Sequence, residues 1–157
     1  MKIKIRRFRV TDAIELARMH RETIRAVNRK DYNKKQIKVW AKASAKRWRE
    51  NSKNSIILIA LDKNKLIGFI QLKDSEVKAL YVHKNYIGRN VGKNLFGSLE
   101  DIAYKNGIKK LKCMSTVTAK NFYNKRGFKT IRKTKFQIRN QKLPVYEMVK
   151  ILKQRNF

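Results

Sequence analysis

The clearest chemical signal in the chain lies between a strand and a helix, in Ala79–Phe96, ALYVHKNYIGRNVGKNLF. An apolar strand ends at Val82, a polar turn holds Gly88 and Gly92, and the apolar stripe of a helix begins near Val91. A strand that passes through a tight turn into a helix leaves several backbone N–H groups unpaired at the positive end of the helix dipole. That is an anion cradle. Arg89 and Lys93 add two positive charges, and glycine lets a ligand approach the backbone. The spacing G-x-x-x-G matches neither G-x-x-x-x-G-K-[ST] nor G-x-G-x-x-G, so neither a P-loop nor a dinucleotide fingerprint is present.

The second informative stretch is Ala119–Phe128, AKNFYNKRGF, a short helix bearing Phe122 and Tyr123 that Gly127 closes before Phe128 opens a strand. Of the remaining reactive groups, His20 shares the apolar face of a helix and reads as a satisfied core or groove histidine, and His83 stands at a strand end. Cys113 is the single cysteine, so no internal disulfide forms and a cytoplasmic setting is expected. Tyr32, Trp40 and Trp48 cluster in a short polar region, where they either pin helices to a sheet or wall a pocket.

Periodicity supplies the elements that must position these groups. Lys2–Phe8 alternates as a half-buried strand, and Thr11 or Asp12 caps a helix carrying Ala13, Leu16, Ala17, Ile24 and Val27 at helical spacing. A second helix carries Ile37, Val39, Trp40 and Ala41, and a third begins at Ser44 and carries Trp48. Ser55–Leu61, Leu66–Leu72 and Glu76–Val82 form an antiparallel meander, turning at Asp62–Lys65 and Asp74–Ser75. Val91, Leu95, Leu99 and Ile102 line one face of the helix after the cradle, which Asn106-Gly107 ends. Lys110–Ser115 then lies parallel to Glu76–Val82 through a right-handed crossover. Two last strands, Lys129–Phe136 and Leu143–Leu152, flank a turn at IRNQKLP, and residues 153–157 are expected to fray. The alternation in Leu143–Leu152 is too poor to assign a buried face.

A chain of 157 residues, 42% of them hydrophobic, suits one domain over 1–157. No apolar run approaches the ~20 residues that span a bilayer, and MKIKIRRFRV leads into no apolar signal segment, so neither a membrane nor a secretory role is expected. The net charge of +30 attracts polyanions non-specifically. The lysines are spread along the whole chain and no nucleic-acid motif accompanies them, which favours a compositional origin for the charge.

Ala79–Phe96 resembles the acetyl-coenzyme A signature of the GNAT superfamily of N-acetyltransferases, an L-x-V strand running into [QR]-x-x-G-x-[GA]. Ile87 takes the Gln/Arg position, Asn90 the first Gly and Gly92 the second, within the local form Y-x-G-R-x-[IV]-G. Ala119–Phe128 is similar to the family's A-x-x-F-Y-x-[KR]-x-G-F at Ala119, Phe122, Tyr123, Lys125, Gly127 and Phe128, with Thr116 where Asn is usual. DYNKKQIKVWA further resembles a YafP-like group of small bacterial GNAT proteins. The resemblance implies a mixed α/β GNAT fold: a mostly antiparallel twisted sheet of about six or seven strands with one splayed parallel pair, flanked by about four or five helices.

It also implies acetyl-CoA as co-substrate, no metal, and transfer to a primary amine of a small molecule or protein, on a monomer or homodimer. The implied coenzyme contacts are Leu80, Tyr81 and Val82 on the strand, then Ile87, Gly88, Arg89, Asn90, Val91, Gly92 and Lys93 in the cradle, with Thr116 and Asn121. Tyr123 is implied as the proton donor to the thiolate and Glu76 as the carboxylate that serves the amine. His83 and water are alternative bases. Cys113 needs no nucleophilic role, because direct attack requires no covalent intermediate. Alternation places Glu76, Lys78 and Leu80 on one face unless a bulge intervenes. Two other readings stay open: a coenzyme A-binding regulatory protein, and a basic nucleic-acid or ribosome-associated protein on the same scaffold.

Overall fold

Strand alternation sorts the apolar residues onto two faces of a single sheet. In the computed structural model, which describes residues 2–153, Leu58 and Ala60 of β2 (Ile56–Asp62) join one core cluster while Ile57, Ile59 and Leu61 join another. The first cluster is covered by α4 (Val91–Lys105), through Val91, Leu95 and Leu99. The second is covered by α1 (Ala13–Val27) and α3 (Ala45–Ser52), through Leu16, Met19 and Trp48. Side chains such as Phe69, Leu99 and Leu111 are wholly buried, so truncating one to alanine costs about 2–5 kcal/mol.

The other strands are β1 (Ile3–Arg7), β3 (Lys65–Lys73), β4 (Glu76–Val82), β5 (Lys110–Thr116), β6 (Lys129–Ile138) and β7 (Gln141–Ile151). The short helices are α2 (Lys34–Trp40) and α5 (Lys120–Lys125). Among the described residues the sheet has seven strands in the order β1-β2-β3-β4-β5-β7-β6, and of these only β4 and β5 pair in parallel, α4 forming the crossover between them. No helix among the described residues is long and apolar enough to cross a membrane.

Four local expectations change. Asp12 sits at the N-cap position of α1 but makes no side-chain cap bond; its carboxylate instead takes the Arg9 N–H at 2.7 Å and the Arg6 guanidinium at 2.9 and 3.0 Å. The turn expected across Ile138–Pro144 shrinks to Arg139-Asn140, and Pro144 lies inside β7 opposite Lys135. Pairing of β7 with β5 ends at Val145, so at Pro144 that side of the ladder has no strand for an N–H to serve. The alternation of β7 is blurred because both of its faces are covered, with Leu143 and Val145 buried on one and Met148 on the other. Finally, β4 carries a bulge: Gln71 opposes Ala79 and Leu72 opposes Val77, leaving Lys78 unmatched.

His20 is buried on α1, but not satisfied. Its ring meets Trp48, Phe69 and Tyr81 edge-on, and its Nδ1 has no hydrogen-bond partner. Burial, with Arg21 and Arg47 adding to it, pushes the imidazole down from 6.5 to about 3. The folded state therefore refuses a proton that the unfolded chain accepts. Stability is full above 6.5 and falls with acid, by at most about 1.4 kcal/mol per pH unit from this group. Replacing His20 by leucine should flatten urea stability between about pH 6.5 and 4 relative to the wild type; parallel pH profiles would show that His20 is not the titrating group. Gly68 offers a second test. A Cβ there would sit 3.0 Å from the Tyr81 carbonyl oxygen and 3.1 Å from Leu95 and Val91 side-chain carbons. Gly68→Ala should cost about 1–3 kcal/mol, read as a lower urea midpoint, and an unchanged midpoint would mean β3 and α4 yield freely.

Candidate active site

The parallel pair holds together at only two positions, Glu76 with Lys112 and Val77 with Cys113, before β4 and β5 part. On the other side of β4, the His83 N–H donates to the Ile67 carbonyl on β3 at 2.8 Å. Main-chain groups alternate sides along a strand, so those of Tyr81 face β3 and those of Leu80 and Val82 face the gap. The gap opens into a cavity of about 510 Å³. Ile87, Gly92 and Phe122 line it on the α4 side, Thr23, Val27 and Trp40 on the α1 side, so it passes through the sheet.

At the α4 mouth the cradle is built from two left-handed residues, Gly88 at φ 81° and Asn90 at φ 63°. No side chain caps α4, and the N–H groups of Val91, Gly92 and Lys93 precede any intrahelical acceptor. The loop is pinned from outside: the Tyr86 hydroxyl donates to Asp62 at 2.8 Å, and the Arg89 guanidinium lies 5.4 Å from the Tyr86 ring centre. A Cβ on Gly92 would come within 3.3 Å of the Phe122 ring and 3.6 Å of a Val82 methyl, so glycine keeps the throat open. The Val91 side chain turns into the core. Gly88, Arg89, Asn90 and Lys93 are exposed beside the lining residues Ile87 and Gly92, and Asn121 is exposed outside the cavity wall.

Tyr123 lines the cavity and is 5% exposed, its ring held edge-on by Phe122 and Phe128. Burial, and then the proximity of Cys113 and Tyr81, holds its phenol well above the ordinary value, so it keeps its proton. Cys113 lies in the core, pushed up to about 12 by burial and by Glu76, and does not reach the cavity. Thr116 does line it, but its hydroxyl accepts the Ala119 N–H at 3.1 Å and so closes the turn into α5.

Glu76 lines the cavity in an ion pair with Lys78. The bulge overturns the expected shared face. Val77 packs in the α4 cluster and Ala79 in the α1 cluster, so Glu76 lies on the side of Ala79 and Tyr81, opposite Leu80. His83 is not part of the wall; its Nδ1 accepts the Asn85 N–H at 3.1 Å and caps the turn that follows.

On the α1 side the aromatic cluster divides. Trp40 lines the cavity beside Tyr81, whose phenol burial pushes upward. Trp48 is buried in the core. Tyr32 bridges two chain segments, accepting the Val117 N–H at 2.9 Å and donating to the Pro144 carbonyl at 2.6 Å. Thr23 and Asn28 of the wall, and Phe136, Leu143 and Val145 from the β6–β7 hairpin, carry no signal in the sequence beyond ordinary alternation and periodicity.

Comparison with known proteins agrees with this architecture. Residues 28–152 match the model of the acetyltransferase (GNAT) domain. The chain is 25% identical over 137 residues to the uncharacterized N-acetyltransferase YafP of Escherichia coli K12, covering 87% of this chain and 88% of that one. Its fold superposes on a GCN5-related N-acetyltransferase from Rhodopseudomonas palustris with a TM-score of 0.93 and 28% identity, over 97% of each chain. It also superposes on the PaiA N-acetyltransferase of Thermoplasma acidophilum in complex with coenzyme A, with a TM-score of 0.83 and 26% identity, over 97% of this chain and 100% of that one. With both the cradle and the splayed pair in place, the chain belongs to the GNAT acetyltransferase family and is an N-acetyltransferase.

Proposed function

We propose that the protein transfers the acetyl group of acetyl-CoA to a primary amine of a small molecule or protein by direct attack within a ternary complex. The observation that carries this reading is a cavity that passes through the sheet, with the gap-facing main chain of Leu80 and Val82 and the neutral phenol of Tyr123 between its two mouths. Acetyl-CoA, when bound, supplies a thioester carbonyl open to attack by an amine.

The N–H groups of Val91, Gly92 and Lys93, with the charges of Arg89 and Lys93, suit the diphosphate. Leu80 and Val82 offer the pantetheine amides the edge that β5 has left, in the manner of an added strand. The Val82 N–H donates to the carbonyl oxygen as charge builds on it, a contact worth on the order of 3 kcal/mol in acyl transfer. A lysine-like amine with pKa ~10.4 arrives protonated, and Glu76 takes that proton directly or through a water. Tyr123 gives its proton to the departing sulfur as the C–S bond breaks, and the proton that the nitrogen sheds once the C–N bond has formed returns to the tyrosinate.

Turnover is read as coenzyme A thiol released in the presence of an amine panel. Tyr123→Phe should lower it at least tenfold while calorimetric coenzyme A affinity stays near the wild-type value. Unchanged turnover would remove Tyr123 from the mechanism.

A further inference from the structure

We infer that the acceptor is a primary amine with an apolar body and a single positive charge, and that polyamines are poor acceptors; the inference rests on the acetyl-transfer reading above. The α1-side half of the cavity is walled by Val27, Trp40, Tyr81, Phe136, Leu143 and Val145. Of the chain's 11 carboxylates, only Glu76 lines the cavity, and Lys78 already pairs with it. Asp31, on the segment leading to α2, accepts the Thr118 hydroxyl at 2.8 Å. Elsewhere Asp12 is held by Arg6, Asp62 by Tyr86 and Glu147 by Arg132.

A second or third ammonium lodged against this wall would meet apolar groups and no carboxylate besides Glu76, Asp31 standing at the rim beside the lining residue Thr118. The net charge of +30 opposes a polycation before it arrives. Both conditions favour an uncharged body. Trp40 and Tyr81 meet edge to face, with ring centres 6.4 Å apart, and add aromatic surface to this wall. Burial against that wall disfavours the charge on a single ammonium, and Glu76 is the carboxylate placed to take its proton.

The test compares phenylethylamine with spermidine in two readouts on the full chain: steady-state thiol release with acetyl-CoA, and calorimetric binding of each amine to the coenzyme A-loaded protein. At low ionic strength kcat/KM for phenylethylamine should exceed that for spermidine at least tenfold, with the gap narrowing as salt screens the field. Trp40→Ala should raise the KM for phenylethylamine about fivefold or more and leave the KM for acetyl-CoA in place. Phe136→Glu alters a residue that is 48% exposed and should swing the ratio toward spermidine. Spermidine acetylated as well as or better than phenylethylamine by the wild type would overturn the inference and leave acetyl transfer standing. Phenylethylamine bound in preference to spermidine, with no thiol release from either, would overturn transfer and support the preference of the cavity. Phenylethylamine neither bound nor acetylated would overturn the inference.

Discussion

A main-chain amide inside a sheet needs a partner, and β4 presents the groups of Leu80 and Val82 to a gap from which the neighbouring strand has departed. The bulge at Lys78 is the local cause. One unmatched residue bends and twists β4, and pairing with β5 ends after Val77 and Cys113. The same bulge turns Glu76 toward the α1 side while Leu80 and Val82 stay on the α4 side, so a single extra residue separates the carboxylate from those two side chains. The main-chain groups proposed to meet the pantetheine and the carbonyl oxygen are ones that an uninterrupted ladder would have consumed.

An opening of this kind needs bracing. Past the end of the β5–β7 ladder at Thr116 and Val145, the Tyr32 hydroxyl joins Val117 to Pro144 as a strand would. The Gln36 amide donates to the Lys142 carbonyl at 2.9 Å, and the Asn28 amide donates to the Thr118 hydroxyl at 3.2 Å. The segment between α1 and α2 is thereby tied both to the loop before α5 and to the β6–β7 hairpin. Tyr123 lies on α5, which follows that loop.

Much of this was legible in the sequence because it is local. The order of the elements, the parallel crossover and the left-handed turn at Gly88 and Asn90 follow from periodicity and from glycine and asparagine at fixed offsets. What was illegible depends on partners distant in the chain. The bulge in β4 is defined only against β3, and the wall supplied by Phe136, Leu143 and Val145 reaches Glu76 only through the sheet order. Pro144 misplaced a turn because the end of β5, which makes proline harmless there, is invisible from β7 alone. Trp40 and Trp48 look alike in sequence, yet one lines the cavity and the other lies in the core. His20 shares a periodic apolar face with core residues, and nothing in that pattern announces an imidazole without a partner.

The central claim is that the open edge of β4 and the first amides of α4 together receive a diphosphate-bearing thioester carrier. Isothermal titration of the folded protein with coenzyme A, alongside Gly92→Leu, tests it most directly. The account predicts saturable one-to-one uptake by the wild type and its loss in the variant, where a side chain fills the space between Phe122 and Val82. No uptake by the wild type at millimolar coenzyme A, or equal uptake by the variant, would contradict it.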